Sequence, residues 1–193
     1  MPGTGRKLDL ARYQNSFSLR HKIARLLWDW TWLLLYRPSP RPLHVWRRWL
    51  LRRWGARIAR DARPYPAARI WAPWNLQMQA RSCLADHVDC YNVAPVFIGE
   101  QATVSQYSYI CTASHDFTHP LMPLTTARIV IENQVWIAAD VFVGPGVTVG
   151  EGAVVGARSS VFGDIAPWQV AVGSPARPVR RRVIRPDAEA EGD

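Results

Sequence analysis

The sequence predicts a parallel β-helix preceded by a helical extension, and three observations carry that reading. Aliphatic residues recur every six positions at Ile131, Ile137, Val143, Val149, Val155 and Val161. This period fits neither an α-helix nor a plain long strand, so it asks for a repeat architecture. Two positions earlier stand second inward candidates, giving the pairs Val135/Ile137, Val141/Val143, Val147/Val149, Ala153/Val155 and Ser159/Val161; residues two apart share one face of a strand. Between the pairs lie Gly144-Pro145-Gly146, Gly150-Glu151-Gly152 and Gly156-Ala157-Arg158. Such residues suit tight corners, because glycine accepts positive φ and proline fixes its own.

Each hexad therefore reads as a very short strand plus a corner, and three of them close a triangular coil of roughly 18 residues. Stacked coils bury a continuous aliphatic column and pair each strand with the one above it. The same spacing reappears upstream at Met78, Leu84 and Cys90, and again at Ile98, Val104 and Ile110. Its phase shifts between Cys90 and Ile98 and between Ile110 and Ile131, so extra residues are expected to leave the β-helix there as loops, the second protruding over 111–130. The β-helical domain is expected over 63–177, after an extension at 1–62 and before a basic tail at 178–193.

Within the extension, Leu19 to Tyr36 reads as a helix that includes Ile23, Leu26, Leu27, Trp28, Trp30, Trp32, Leu33, Leu34 and Leu35 and is apolar all round in its later half. It is too short to span a bilayer, which takes roughly 20 apolar residues. Aromatics stand where a cleaved signal peptide needs small residues, so a cytosolic protein is expected. Past Arg37-Pro38-Ser39-Pro40, a second basic and aromatic segment runs from His44 to Ile58 with Trp46, Trp49 and Trp54. These helices either cap the open end of the β-helix or lie in a lipid interface with arginines on the headgroups. The two roles are compatible, since a cap can leave some tryptophans exposed.

The chain of 193 residues carries a net charge of +9, with arginines concentrated in Arg47 to Arg60 and Arg177 to Arg185. That balance suits an anionic partner such as a phosphorylated cofactor or a membrane surface. No zinc finger, RNA-binding aromatic signature or homeodomain pattern accompanies it, which argues against nucleic acid. Cys83, Cys90 and Cys111 form no C-x-x-C pair and read as buried thiols of a reducing compartment.

The hexads, the Val135-Trp136-Ile137 step, Cys111-Thr112-Ala113-Ser114-His115-Asp116 and Gly173-Ser174-Pro175-Ala176-Arg177 resemble the hexapeptide-repeat acetyltransferases. The Trp-rich start, the Arg37-Pro38-Ser39-Pro40 turn and Pro73-Trp74-Asn75-Leu76 narrow the likeness to the colanic acid biosynthesis acetyltransferases. The resemblance implies a left-handed β-helix, a homotrimer, and transfer of acetyl from acetyl-CoA, at clefts between subunits, to a sugar or lipid-linked glycan intermediate of exopolysaccharide synthesis. No metal is implied.

His115 falls where the family carries its catalytic histidine, and a neutral imidazole is chemically suited to deprotonate a sugar hydroxyl near pH 7. Ser114-His115-Asp116 is no protease triad, because three consecutive side chains do not easily form the relay. Asp116, a backbone carbonyl or a residue of another subunit is left to orient the ring. Asn92 and Asp116 are the implied substrate-binding residues, although Asn92 fits a corner or asparagine ladder equally well. The resemblance places Trp136, Ala139, Ala157 and Phe162 along the pantetheine arm of CoA and Arg177 and Arg180 at its phosphates, a role that suits guanidinium groups. Arg181, Arg182 and Arg185 read as exposed basic tail. Two departures from the family pattern stand out: Ala138 replaces a usual glycine, and Phe162-Gly163 replaces a Thr-Lys pair, which weakens the expected phosphate contact.

Three rivals share these features. An amino sugar could accept acetyl through the same base. A γ-class carbonic anhydrase would gather His87, His115 and His119 around zinc. A non-catalytic β-helix scaffold would have no reason to bring His115 and Arg177 to one cleft.

Overall fold

The computed structural model describes residues 17 to 185. Helix α1 (Leu19–Thr31) starts at Ser18, whose side chain accepts from the backbone of His21; this satisfies one of the orphan donors of the first turn. It continues through a π-helical turn, Trp32–Tyr36, and after the proline-rich connection comes α2 (His44–Arg53). The first coil then begins at β1 (Arg57–Ile58), so the expected boundary at residue 63 falls at its second strand, β2 (Arg63–Pro64), which is followed by β3 (Arg69–Ile70).

The second coil holds β4 (Leu76–Met78), β5 (Cys83–Leu84) and β6 (Asp89–Tyr91), and the third β7 (Val96–Ile98), β8 (Thr103–Val104) and β9 (Tyr109–Cys111). A hairpin of β10 (Ala113–His115) and β11 (Leu124–Thr126) then leaves the body. The fourth coil resumes with β12 (Ile129–Ile131), β13 (Trp136–Ile137) and β14 (Phe142–Val143), and the fifth with β15 (Thr148–Val149), β16 (Val154–Val155) and β17 (Ser160–Val161). Ile165 bridges to Val149, β18 (Gln169–Gly173) extends the second face, and β19 (Ala176–Arg181) folds back antiparallel on β18. Three parallel faces result, β1-β4-β7-β12-β15, β2-β5-β8-β13-β16-β18 and β3-β6-β9-β14-β17.

The inward pairs fill the core as expected, with Val135, Ile137, Val141, Val143, Val147, Val149, Ala153, Val155, Ser159 and Val161 all buried. The corners use a conformation more than a residue type. Gln134, Asp140, Gly146, Gly152 and Arg158, six apart, all have positive φ, and only two of them are glycine. Close stacking makes some glycines sensitive for a different reason. A Cβ on Gly99 would lie 2.5 Å from the backbone carbon of Glu132. Gly99→Ala is therefore expected to cost about 1–3 kcal/mol by forcing the third and fourth coils apart, measurable as a lower urea midpoint.

The first phase shift is not a loop. Early coils repeat every 20 residues because the corner between the third and first faces is wider, and Asn92 fills it. Its Oδ1 accepts from Ala72 N at 2.8 Å and its Nδ2 donates to Ala72 O at 2.7 Å. One coil on, Thr112 Oγ1 donates to Tyr91 O at 3.0 Å and accepts from Ala94 N at 2.9 Å.

The extension caps the β-helix, and the chemistry of the open edge explains its composition. Ala59, Arg63, Tyr65, Arg69 and Trp71 donate their N–H groups to carbonyls of the second coil. Carbonyls of the first coil that face the other way need donors, and an exposed row of this kind invites wrong pairing. Trp28 Nε1 donates to Ile70 O at 2.6 Å, Trp32 Nε1 to Ala68 O at 2.9 Å and Tyr36 Oη to Tyr65 O at 3.1 Å. From α2, Arg47 Nε donates to Pro64 O at 2.7 Å, Arg48 to Ala62 O at 3.0 Å and Arg52 to Ile58 O at 2.7 Å. Indole and guanidinium groups donate and never accept, which suits a row of carbonyls. Arg47 is fully buried, and its remaining donors reach Ser39 Oγ, Pro40 O and Arg41 O. Burial pulls its guanidinium below the usual value. Cys90 is buried as well and Cys83 partly so, and burial pushes both thiols up, away from reactive thiolate.

Candidate active site

The second phase shift builds the site. The hairpin leaves between the third and first faces, with Ala113 opposite Thr126, Ser114 opposite Thr125 and His115 opposite Leu124. Beyond His115 the chain turns through residues 116–123. Asp116 Oδ1 accepts from Thr118 N at 3.0 Å and Thr118 Oγ1 at 2.5 Å, while Asp116 N donates to Pro123 O at 3.0 Å. These bonds from Thr118 hold the Asp116 carboxyl below the usual carboxylate range. Met122 takes a positive φ of 44°, and its carbonyl lies 2.7 Å from His115 Nδ1.

That contact settles the tautomer by chemistry. A carbonyl oxygen only accepts, so Nδ1 must carry the proton and Nε2 of the neutral ring keeps the lone pair. A backbone carbonyl therefore holds Nδ1, and the Asp116 carboxylate is engaged with Thr118 in shaping the turn. Asp116→Asn should accordingly keep kcat within a fewfold of the parent, since the amide oxygen still accepts from Thr118; a drop approaching the ~10⁴-fold of a lost triad aspartate would show that Asp116 orients the ring. An Asp followed two residues later by Thr is a recognisable turn signal, and it marks Thr118 as a residue that spacing alone identifies. Nothing in the spacing points to the Met122 carbonyl.

Asn92 does not reach the solvent. It is fully buried with its amide committed to Ala72, which is the ladder arrangement and leaves no face for an acceptor. His119 Nδ1 accepts from Leu121 N at 3.1 Å, and His87 stacks on Tyr107 with ring centroids 5.0 Å apart. Among the described residues of the chain, no three His, Cys, Asp or Glu side chains gather in a way that could hold a metal.

The residues implied for CoA divide between two faces. Trp136, Arg177 and Arg180 belong to the second face, through the run β13-β16-β18-β19. Trp136 is half-exposed with Nε1 donating to Ser105 Oγ at 3.1 Å, and both arginines are exposed on β19. Ala139 and Ala157 follow β13 and β16 one coil apart, where Arg158 N donates to Ala139 O at 3.0 Å. Phe162 follows β17 on the third face, exposed, its ring 5.4 Å from that of Phe142. Beside this corner lies an open cavity of about 490 Å³ whose lining includes Tyr109, Asp140, Phe142 and Arg158. Arg182 differs from the expected exposed tail: it donates to Gln134 O at 2.8 Å and Gly152 O at 2.9 Å and ties the chain just after β19 to the body.

A larger cavity of about 560 Å³ lies on the first face at the root of the hairpin, and periodicity gave no sign of it. Arg57, Trp74, Asn75, Gln77, Phe97 and Arg128 line it, and no acidic residue does. Arg128 stands four residues beyond Leu124, the partner of His115. At about 3.4 Å per extended residue, the two ends of that stretch are at most ~14 Å apart.

Comparison with known proteins places this arrangement. The family described as bacterial transferase hexapeptide (six repeats) matches residues 128–163. The Escherichia coli K12 protein named as the colanic acid biosynthesis acetyltransferase WcaF is 40% identical over 157 residues, which cover 81% of this chain and 86% of that protein. A hexapeptide-repeat acetyltransferase of Vibrio cholerae O1 biovar eltor, solved with acetyl coenzyme A, superposes with a TM-score of 0.78 at 23% identity over 89% of this chain and 94% of its own. A maltose O-acetyltransferase of Clostridium difficile 630 gives 0.77 at 23% identity over 86% and 90%. These likenesses show the fold of this chain, a left-handed parallel β-helix. Given the identity to the E. coli protein over most of both chains, this chain belongs to the hexapeptide-repeat acetyltransferases and is an acyltransferase.

Proposed function

We propose that this protein transfers the acetyl group of acetyl-CoA to a hydroxyl of a sugar or lipid-linked glycan intermediate of exopolysaccharide synthesis, with His115 as general base. The observation that supports the base assignment is the 2.7 Å contact of His115 Nδ1 with Met122 O, which puts the proton of a neutral ring on Nδ1 and so makes Nε2 its basic nitrogen. His115 Nε2 takes the hydroxyl proton as the new O–C bond forms at the thioester carbon. The C–S bond then breaks, and the imidazolium returns the proton to the departing thiolate. Ser114 forms no acyl intermediate in this scheme.

In this reading Trp136, Ala139, Ala157 and Phe162 follow the pantetheine arm, and Arg177 and Arg180 meet the CoA phosphates. Trp136 and Phe162 sit on different faces of one chain, so a homotrimer is invoked to close the cleft between neighbours. The acceptor enters at the hairpin root. The trimer works in the cytoplasm with its N-terminal helices against the inner face of the membrane, where a lipid-linked glycan is encountered.

The test is acetyl-CoA-dependent thiol release with a panel of neutral and amino sugars, comparing the parent with His115→Ala. Release with hydroxyl acceptors that is lost in the variant, while acetyl-CoA still binds, supports the proposal. Turnover confined to amino sugars would make the enzyme an N-acetyltransferase, and failure of both proteins to bind acetyl-CoA would point to a scaffold.

A further inference from the structure

Many of the exposed large apolar side chains among the described residues lie on the outer face of the cap. In α1 and the π-helical turn the inner positions are Arg25, Trp28, Trp32 and Tyr36, buried or half-buried against the first coil. At the opposite positions Leu19, Ile23, Leu26, Leu27, Trp30, Leu33 and Leu34 all face solvent, with Leu26 59% and Leu34 61% exposed. Leu35 of the same turn is exposed as well, and across the connection so are Leu43, Val45 and Trp49. This stripe exceeds the single scattered apolar residues that are normal on a surface.

Its direction follows from the capping bonds. The inner side chains of both helical segments donate to first-coil carbonyls that point away from the second coil. Their outer faces must then look outward along the axis of the β-helix. In a trimer whose subunits stand side by side about a parallel axis, the three apolar faces would share one plane.

We infer that this face is a docking surface for an anionic lipid bilayer, lying in the headgroup region without crossing it. No helix among the described residues is long and apolar enough to span. Leucines and tryptophans on one side of a helix, with basic residues at the flanks, suit the bilayer interface. Arg20 and Lys22 flank the stripe in the first turn of α1, and Arg53 stands on the outer side of α2; all three are exposed. The only acid of α1, Asp29, is paired with Arg25 at 2.7 Å. This rests on the reading of a membrane-bound acceptor given above and names the surface and lipid charge that would bring the enzyme to it.

Sedimentation with vesicles tests the inference, using phosphatidylglycerol–phosphatidylethanolamine and pure phosphatidylcholine. The parent should pellet with the anionic vesicles, and less so as salt rises. Ile23→Ser/Leu26→Ser/Trp30→Ser/Leu34→Ser changes only exposed positions and should lose binding by about tenfold or more, and Arg20→Glu/Lys22→Glu should lose preference for anionic lipid. Both variants should retain thiol release with a soluble acceptor, so loss of docking and loss of catalysis stay distinguishable. The inference is overturned if the parent stays in the supernatant or if the serine variant binds as well as the parent. It is likewise overturned if velocity sedimentation shows the parent pairing end to end in a way the serine variant abolishes, or if vesicles bind only after residues 1–16 are removed. Those two results would assign the face to a second copy or to the chain's own N-terminal segment.

Discussion

His115→Ala is expected to lower kcat by roughly 10²-fold to 10⁴-fold, the usual contribution of a positioned general base, with little change in acetyl-CoA affinity. The residue stands on the exposed hairpin, away from the aliphatic column, so the substitution should leave the urea midpoint nearly unchanged. His115→Asn is the sharper control. The asparagine Nδ2 stands where Nδ1 stood and can still donate to Met122 O but offers no basic nitrogen, so it should fail as badly as alanine if Nε2 acts as base. A variant with near-parental kcat would sink the mechanism. Single-turnover release of thiol, measured beside equilibrium binding of acetyl-CoA, separates the chemical step from binding.

The second large effect concerns the cap. Trp28→Ala should destabilise the protein by about 3–5 kcal/mol, the range for truncating a large buried aromatic, a sizeable share of the 5–15 kcal/mol typical of a domain. Trp28 is fully buried, meets the rings of Tyr36 and Trp54, and donates to Ile70 O. Trp28→Phe separates the two contributions. It keeps most of the apolar volume but leaves a first-coil carbonyl without its donor, a loss of about 1–3 kcal/mol. Equal midpoints for Trp28→Phe and the parent would mean that the indole donor is dispensable and that the cap acts by burial alone. Chemical denaturation at fixed protein concentration is the measurement, because assembly shifts apparent stability by mass action.

Legibility in the sequence followed repetition. The hexads from Ile131 to Val161 declare themselves because every coil imposes the same demand on its inward positions, and all six core aliphatics are buried. The first coil, with Ile58, Pro64 and Ile70 inward, is harder to read. It sits beside Arg- and Trp-rich helices, and proline replaces an aliphatic. The corners were legible as turns only where glycine marks them, since Gln134 and Asp140 take the same left-handed conformation without that signature.

For the site, the position of His115 on an inserted segment was readable from broken phase together with family likeness. What holds its Nδ1 was not, because that group is a main-chain oxygen that any residue at position 122 would supply. Asn92 illustrates the reverse. An asparagine near a length change suggests an acceptor contact, yet the wider corner needs an amide to bridge Ala72, and burial assigns it there.

By itself, then, the sequence determined the β-helix, the inserted segment carrying His115, and a Trp- and Arg-rich extension with two compatible roles. These are local or periodic matters, decided by which side chains recur and at what spacing. Only the tertiary structure decided that donor-only side chains of that extension satisfy the carbonyls of the first coil, that its leucines are thereby turned outward, and that His115 Nδ1 is committed to Met122. Each of these depends on groups far apart in sequence or on the main chain, and a backbone carbonyl leaves no mark in the sequence of side chains.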